Sequence, residues 1–127
     1  MNSRELKKRT NDFAHRCVKL ATSLPENKLG RHIAGQLIRC STSVAANYRA
    51  VCIAQSDAAF VAKLSIVFEE ADESAFWIEF AIEENLVKRN KVTNLLNEAL
   101  ELCNIFGASR ITLNKKHPKP SAKNIKS

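Results

Sequence analysis

The feature that most constrains this chain is how little interrupts it. Residues 1–115 contain one proline, Pro25, and three glycines, Gly30, Gly35 and Gly107. An all-β domain needs turn residues roughly every 8–12 positions, and they are missing here. The chain has 127 residues. That suits a single domain large enough to bury a core without disulfide staples. Hydrophobic residues at 45% and charged residues at 26% exclude collagen-like, low-complexity and disulfide-scaffold classes.

Four segments carry the helical period. In the first, about Ser3 to Leu24, Leu6, Phe13, Cys17, Leu20 and Leu24 share a face. Ser3 is a candidate N-cap, and Leu24–Pro25 is the stop, because a residue before proline avoids the α region. The second runs from about Asn27 to Ala54, with Ile33, Leu37, Val44, Tyr48 and Val51 inward. The third starts at Ser56 or Asp57 and reaches about Asn85, with Phe60, Leu64, Val67, Ala71, Ser74, Ile78 and Ile82 inward. The fourth spans about Asn90 to Ile111, where Gly107 either ends or loosens it. Short connections force antiparallel neighbours, so the expected fold is all-α: an up-down-up-down four-helix bundle over residues 1–115. Residues 116–127 form a basic tail expected to be disordered.

No apolar run reaches the ~18–20 residues of a membrane span, and the N-terminus lacks the apolar stretch of a signal peptide. The chain is expected in the cytoplasm, without membrane contact. Cys17, Cys40, Cys52 and Cys103 form no CxxC or CxxH pair, so reduced thiols are expected rather than a zinc site. The third helix is rich in carboxylates (Glu69, Glu70, Asp72, Glu73, Glu79, Glu83, Glu84), but no Glu-x-x-His accompanies them, and His15, His32 and His117 are scattered. A bundle di-metal site uses that pairing, so no metal or other cofactor is expected. Ser43 lacks the histidine and acid partners of a hydrolase, and no Gly-rich phosphate loop occurs. Neither an enzyme nor a small-molecule substrate is expected.

Charge is unevenly distributed. The net is +7 over residues 1–55, −5 over 56–110 and +5 over 111–127. Arg4, Lys7, Lys8, Arg9 and Arg16 make the first helix basic, and Lys115 and Lys116 open the basic tail. Such groups can bind RNA or DNA through phosphates, without base readout. The acidic third helix is expected to face the basic first or second helix, within the chain or across subunits. That helix also holds more apolar surface than one bundle face uses: Ile66, Phe76, Trp77 and Phe80 fall outside the inward stripe, as a self-association face would. On the second helix Gln36, Cys40, Ser43 and Asn47 form a narrow stripe of small polar residues, flanked by Arg39 and Arg49. Small residues permit close helix approach, and Ser or Asn can hydrogen-bond across an interface.

The stretch Gln36 to Arg49 (QLIRCSTSVAANYR), with Phe60 to Glu73 (FVAKLSIVFEEADE) and Phe76-Trp77, resembles the bacterial four-helix bundle proteins called 23S ribosomal RNA intervening-sequence proteins. The resemblance covers about Asn11 to Phe106. Gln36, Arg39, Ser43 and Asn47 match the pattern, whereas Tyr48 to Val51 depart from the Ile-Ala-Glu-Gly common there. The family implies a ring-shaped homopentamer, similar in fold to the accessory variability determinant of diversity-generating retroelements, a basic pentamer that binds nucleic acid. Gln36, Arg39, Ser43, Asn47, Ile66, Phe76, Trp77 and Phe80 are therefore the expected oligomer interface. The expected function is that of a non-enzymatic accessory or adaptor protein that binds nucleic acid. The alternative is a protein-interaction scaffold with no nucleic-acid ligand.

Overall fold

The computed structural model describes residues 1–116, with side chains to Leu113. The region 117–127, most of the expected basic tail, lies outside the described residues. The elements are α1 (Ser3–Ser23), α2 (Lys28–Cys52), α3 (Asp57–Glu83) and α4 (Arg89–Lys116), and no strand occurs among the described residues. Each helix packs on its chain neighbours, and α4 closes back on α1, the pair that meets least closely. α1 and α3 therefore stand on diagonal corners of an up-down-up-down bundle.

Local chemistry explains the boundaries. Asn2, rather than Ser3, caps α1: its side chain accepts the Glu5 N–H at 2.9 Å, and its amide reaches back to the Glu5 carboxylate. The Asn-x-x-Glu spacing carries that signal. Asn27 caps α2 and Ser56 caps α3 in the same way. Gly30 is required where it stands, since an added Cβ would meet the Pro25 carbonyl oxygen at 2.0 Å. α3 ends in a left-handed Asn85 with φ 60°, while the Leu86 N–H bonds the Ala81 carbonyl and the Asn85 N–H that of Ile82. This double bond to the last turn is the Schellman stop. α4 does not end at Gly107 but runs on to Lys116. Gly107 serves packing instead: a Cβ there would lie 3.0 Å from the Phe68 ring, over which Arg110 also stacks.

The inward phases of α2 and α3 match the sequence reading. Ile33, Leu37, Val44, Val67, Ala71 and Ile78 are fully enclosed, together with Phe13 and Cys17 of α1 and Leu102 and Phe106 of α4. Phe60 and Ile82, at the two ends of the α3 stripe, are only partly buried. Buried hydroxyls are satisfied within their own helices: Thr10 donates to the Leu6 carbonyl and Ser74 to that of Glu70. Burial pushes the Cys17 thiol up to about 12, and those of Cys40 and Cys103 up to about 11.

Candidate nucleic-acid interface and association face

The basic residues of α1 divide between two grooves. The α1/α2 groove encloses about 750 Å³ and is lined by Arg4, Lys7, Lys8 and, from α2, Arg49. A further stretch of about 520 Å³ extends it past His15 and shares Asn11, Ala45 and Arg49 with it. The α1/α4 groove, also about 520 Å³, carries Arg16 and Lys19 with Lys91 of α4, above an apolar floor that includes Leu20 and Leu95. None of the residues lining these grooves is acidic. The surface can thus receive an anion without first breaking an ion pair in its own lining, apart from Lys8, which holds exposed Asp12 at 2.7 Å.

Arg9 has a different position. Its guanidinium bonds both Glu98 oxygens of α4, at 2.8 and 2.7 Å, and also reaches Glu101 at 2.9 Å. Bonding to Glu98 raises its already high pKa. Arg9 therefore joins α1 to α4 rather than lining either groove. Lys115 and Lys116 lie in the last turn of α4, and their side chains fall outside the described residues. Arg49 was read beside the small-polar stripe, yet it stands on the α1 side of its helix. Its spacing of four from Ala45 and three from Cys52 is the signal that places it in the groove.

The other face of α2 meets α3. Arg39 donates its Nε–H to the Gln36 side-chain oxygen at 3.3 Å, and bonds Glu70 at 3.0 Å and Glu73 with a second guanidinium nitrogen. Trp77 donates its indole N–H to Glu73 at 3.1 Å, and its ring meets His32 edge-on. Burial pushes the Glu73 carboxyl up, but the bonds from Trp77 and Arg39 outweigh it and hold the group below its ordinary range. The Glu73 hydrogen bond in turn raises Arg39. One turn further along α2, Asn47 donates to the Ser43 hydroxyl and carbonyl.

Of the eight residues read as an interface, Gln36 and Arg39 are linked through Glu73 to Trp77, and Trp77 to Phe76 and Phe80, while Ser43 and Asn47 bond each other and Ile66 lies ten positions before Phe76. Phe76, Trp77 and Phe80 form one aromatic cluster with ring centroids 4.9–6.0 Å apart. Phe76 is 52% exposed and Ile66 37%, whereas Trp77 and Phe80 are half-buried against the core edge. His32 and Glu73, which anchor Trp77, escape a reading based on apolar spacing. Among the described residues the acidic run bonds α2 through Glu70 and Glu73, and diagonal placement separates it from α1.

Among the described residues no cluster of His, Cys, Asp and Glu is placed to hold a metal ion, and no helix is long and apolar enough to cross a membrane. What remains is a four-helix bundle with its cationic and acidic-aromatic surfaces on opposite corners. Residues 3–108 match the model of the 23S rRNA-intervening sequence protein family, and the chain belongs to that family. It is also similar to the crystal structure of a protein of unknown function from the S23 ribosomal protein family of Bacteroides thetaiotaomicron. The two share 30% identity with a TM-score of 0.76, over 83% of this chain and 97% of the other. A search of curated proteins finds no match.

Proposed function

We propose that this protein is a non-enzymatic, homo-oligomeric nucleic-acid-binding factor. The observation that carries the binding reading is the pair of grooves flanking α1, lined by seven Lys and Arg side chains and no carboxylate. Cations so placed contact phosphates and release counterions, which gives affinity without sequence preference. The self-association reading rests on the α2–α3 face, where Ile66 and Phe76 leave apolar surface in water. A ring repeats the burial of such a face at each contact, and the family resemblance implies five copies.

The test is fluorescence anisotropy with a structured RNA at about 50 and 200 mM salt, alongside sedimentation of the protein alone. Six or more phosphate contacts should weaken binding by about 10³-fold or more between those salts. Absent binding at low salt, or binding indifferent to salt, overturns the nucleic-acid reading. Phe76→Glu should shift the protein toward monomer with its helix content retained, and a wild-type monomer at micromolar concentration overturns the association reading. The aromatic face taken alone also supports a protein scaffold, which predicts an oligomer without salt-dependent binding.

A further inference from the structure

We infer that the outer seam between α3 and α4 is the docking surface of the chain's own C-terminal segment, residues 117–127, which runs back along it in the direction of α3. The inference is independent of the nucleic-acid reading. The register of the seam is fixed at Phe68: an added Cβ at Gly107 would lie 3.0 Å from its ring, and the Arg110 guanidinium stands 4.3 Å from the ring centre. Because α3 and α4 are antiparallel, Leu100, two turns before Gly107, is level with about Ala75, two turns after Phe68. Ile111, one turn after Gly107, continues the same edge. Leu100 is 42% exposed and Ile111 55%, so this edge leaves apolar side chains in water, outside the core. Asp72 and Glu79 lie three before and four after Ala75. Asp72 stands on the α4 side, where, after burial, its charge is the next cause that raises the Cys103 thiol. Among the described residues Asp72 and Glu79, with Glu69 and Glu83 further out, are exposed and form no ion pair. The carboxylates on the other side of the helix, Glu70 and Glu73, are already held by Arg39.

Charge and length name the occupant. Residues 117–127 contain Lys119, Lys123 and Lys126, no Asp or Glu, and Ile125 as their one large aliphatic side chain. Pro118 disfavours the α conformation at His117. The chain therefore leaves α4 where that helix stands level with the first turn of α3. An extended chain advances about 3.3 Å per residue, so Pro118 to Ile125 covers about 23 Å. From Lys116 back to Leu100 along α4 is about 24 Å. A segment that reverses at His117–Pro118 thus brings Ile125 to Leu100, with Lys123 and Lys126 within side-chain reach of Asp72 and Glu79. Arg110, at the near end of the seam, falls level with Ser121, which has no charge to repel it. Docking covers the exposed leucine and neutralises carboxylates that have no partner among the described residues.

The experiment is zero-length carbodiimide cross-linking of the full chain at low salt, on an equal mixture of isotope-labelled and unlabelled protein, read by peptide mass spectrometry. Amide links should join Lys123 or Lys126 to Asp72 or Glu79, within chains of one isotope type. Leu100→Ser and Ile125→Ser remove no reactive group, yet each should lower that yield several-fold, as should high salt. Leu100 is exposed and Ile125 lies beyond the helices, and circular dichroism checks that both variants fold. The absence of tail links to α3, or links spread over carboxylates elsewhere on the bundle, overturns the inference. Links that join labelled to unlabelled chains assign the seam to the segment of a second copy and overturn it too. So does a yield that neither serine variant lowers, since the seam then holds no apolar contact.

Discussion

Two arginines, Arg9 and Arg39, each bridge a pair of helices and each hold two carboxylates, yet their surroundings differ. At the α2–α3 seam small residues do the joining: Ser74 lies 3.2 Å from the Cys40 sulfur, both fully enclosed. Arg39 lies over this seam with its side chain 48% exposed. At the α1–α4 seam the helices approach least and a groove remains between them. There Arg9 is 22% exposed and Glu98 15%. Where packing is close the arginine stays half in water above largely enclosed carboxylates. Where packing is thin the ion pair is itself part of the seam.

The largest expected effect compares one leucine from each region. Leu37 is fully enclosed on α2, whereas Leu95 lines the α1–α4 groove at 7% exposure. Chemical denaturation should find Leu37→Ala costing about 3–5 kcal/mol and Leu95→Ala nearer about 2, because a site beside a groove can relax or fill with water. Equal losses contradict the claim that α1–α4 is the thinner seam. Next come the arginines. Arg9→Ala removes two charge-assisted bonds to a largely enclosed carboxylate and should cost about 1.5–3 kcal/mol. Arg39→Ala removes a guanidinium that is 48% exposed, although Glu70 beneath it is only 16% exposed, and should cost less, about 1 kcal/mol. A reversed order in thermal melts removes the distinction between the seams.

A smaller effect is pH-dependent. Glu73 is held below its ordinary range in the folded protein. Its contribution is therefore complete above the unfolded carboxylate value of about 4.3, and is lost as pH falls from there through the lower folded value. Glu73→Gln should lower stability at neutral pH and make the fall below about pH 4.3 shallower. An unchanged acid limb assigns the loss to other carboxylates. The smallest effect concerns glycine. A Cβ at Gly35 meets nothing within 4 Å, so Gly35→Ala should stabilise the protein by about 0.5–1 kcal/mol through helix propensity. Gly30→Ala forces the Cβ onto the Pro25 carbonyl and should destabilise. A stabilised Gly30→Ala means that the α1–α2 turn yields easily.

Much of the fold was legible because each helix carries its own periodic record of which side faces inward. Leu37, Val44, Leu64, Val67 and Ile78 are buried as that period requires. The two blocks that resemble the family lie within the matched residues 3–108. The cap of α1 was read one position late, at Ser3; the Asn-x-x-Glu spacing is the signal that marks Asn2 instead. Gly107 was not legible, since its role depends on the ring of Phe68, 39 positions away.

By itself the sequence determined four helices, their inward faces and the imbalance of charge, all properties of residues a few positions apart. Only the tertiary structure decided what each lateral flank meets. A helix has one core-facing stripe but two sides, and the hand of the bundle selects the neighbour on each. That choice turned Arg9 toward Glu98 and Arg49 toward α1, set Arg39 against Glu73, and separated basic α1 from acidic α3 across the diagonal. Periodicity measures the angle of a residue from its own core. It carries no information on left and right until the helices pack, and that is why the two grooves emerge only at the level of packing.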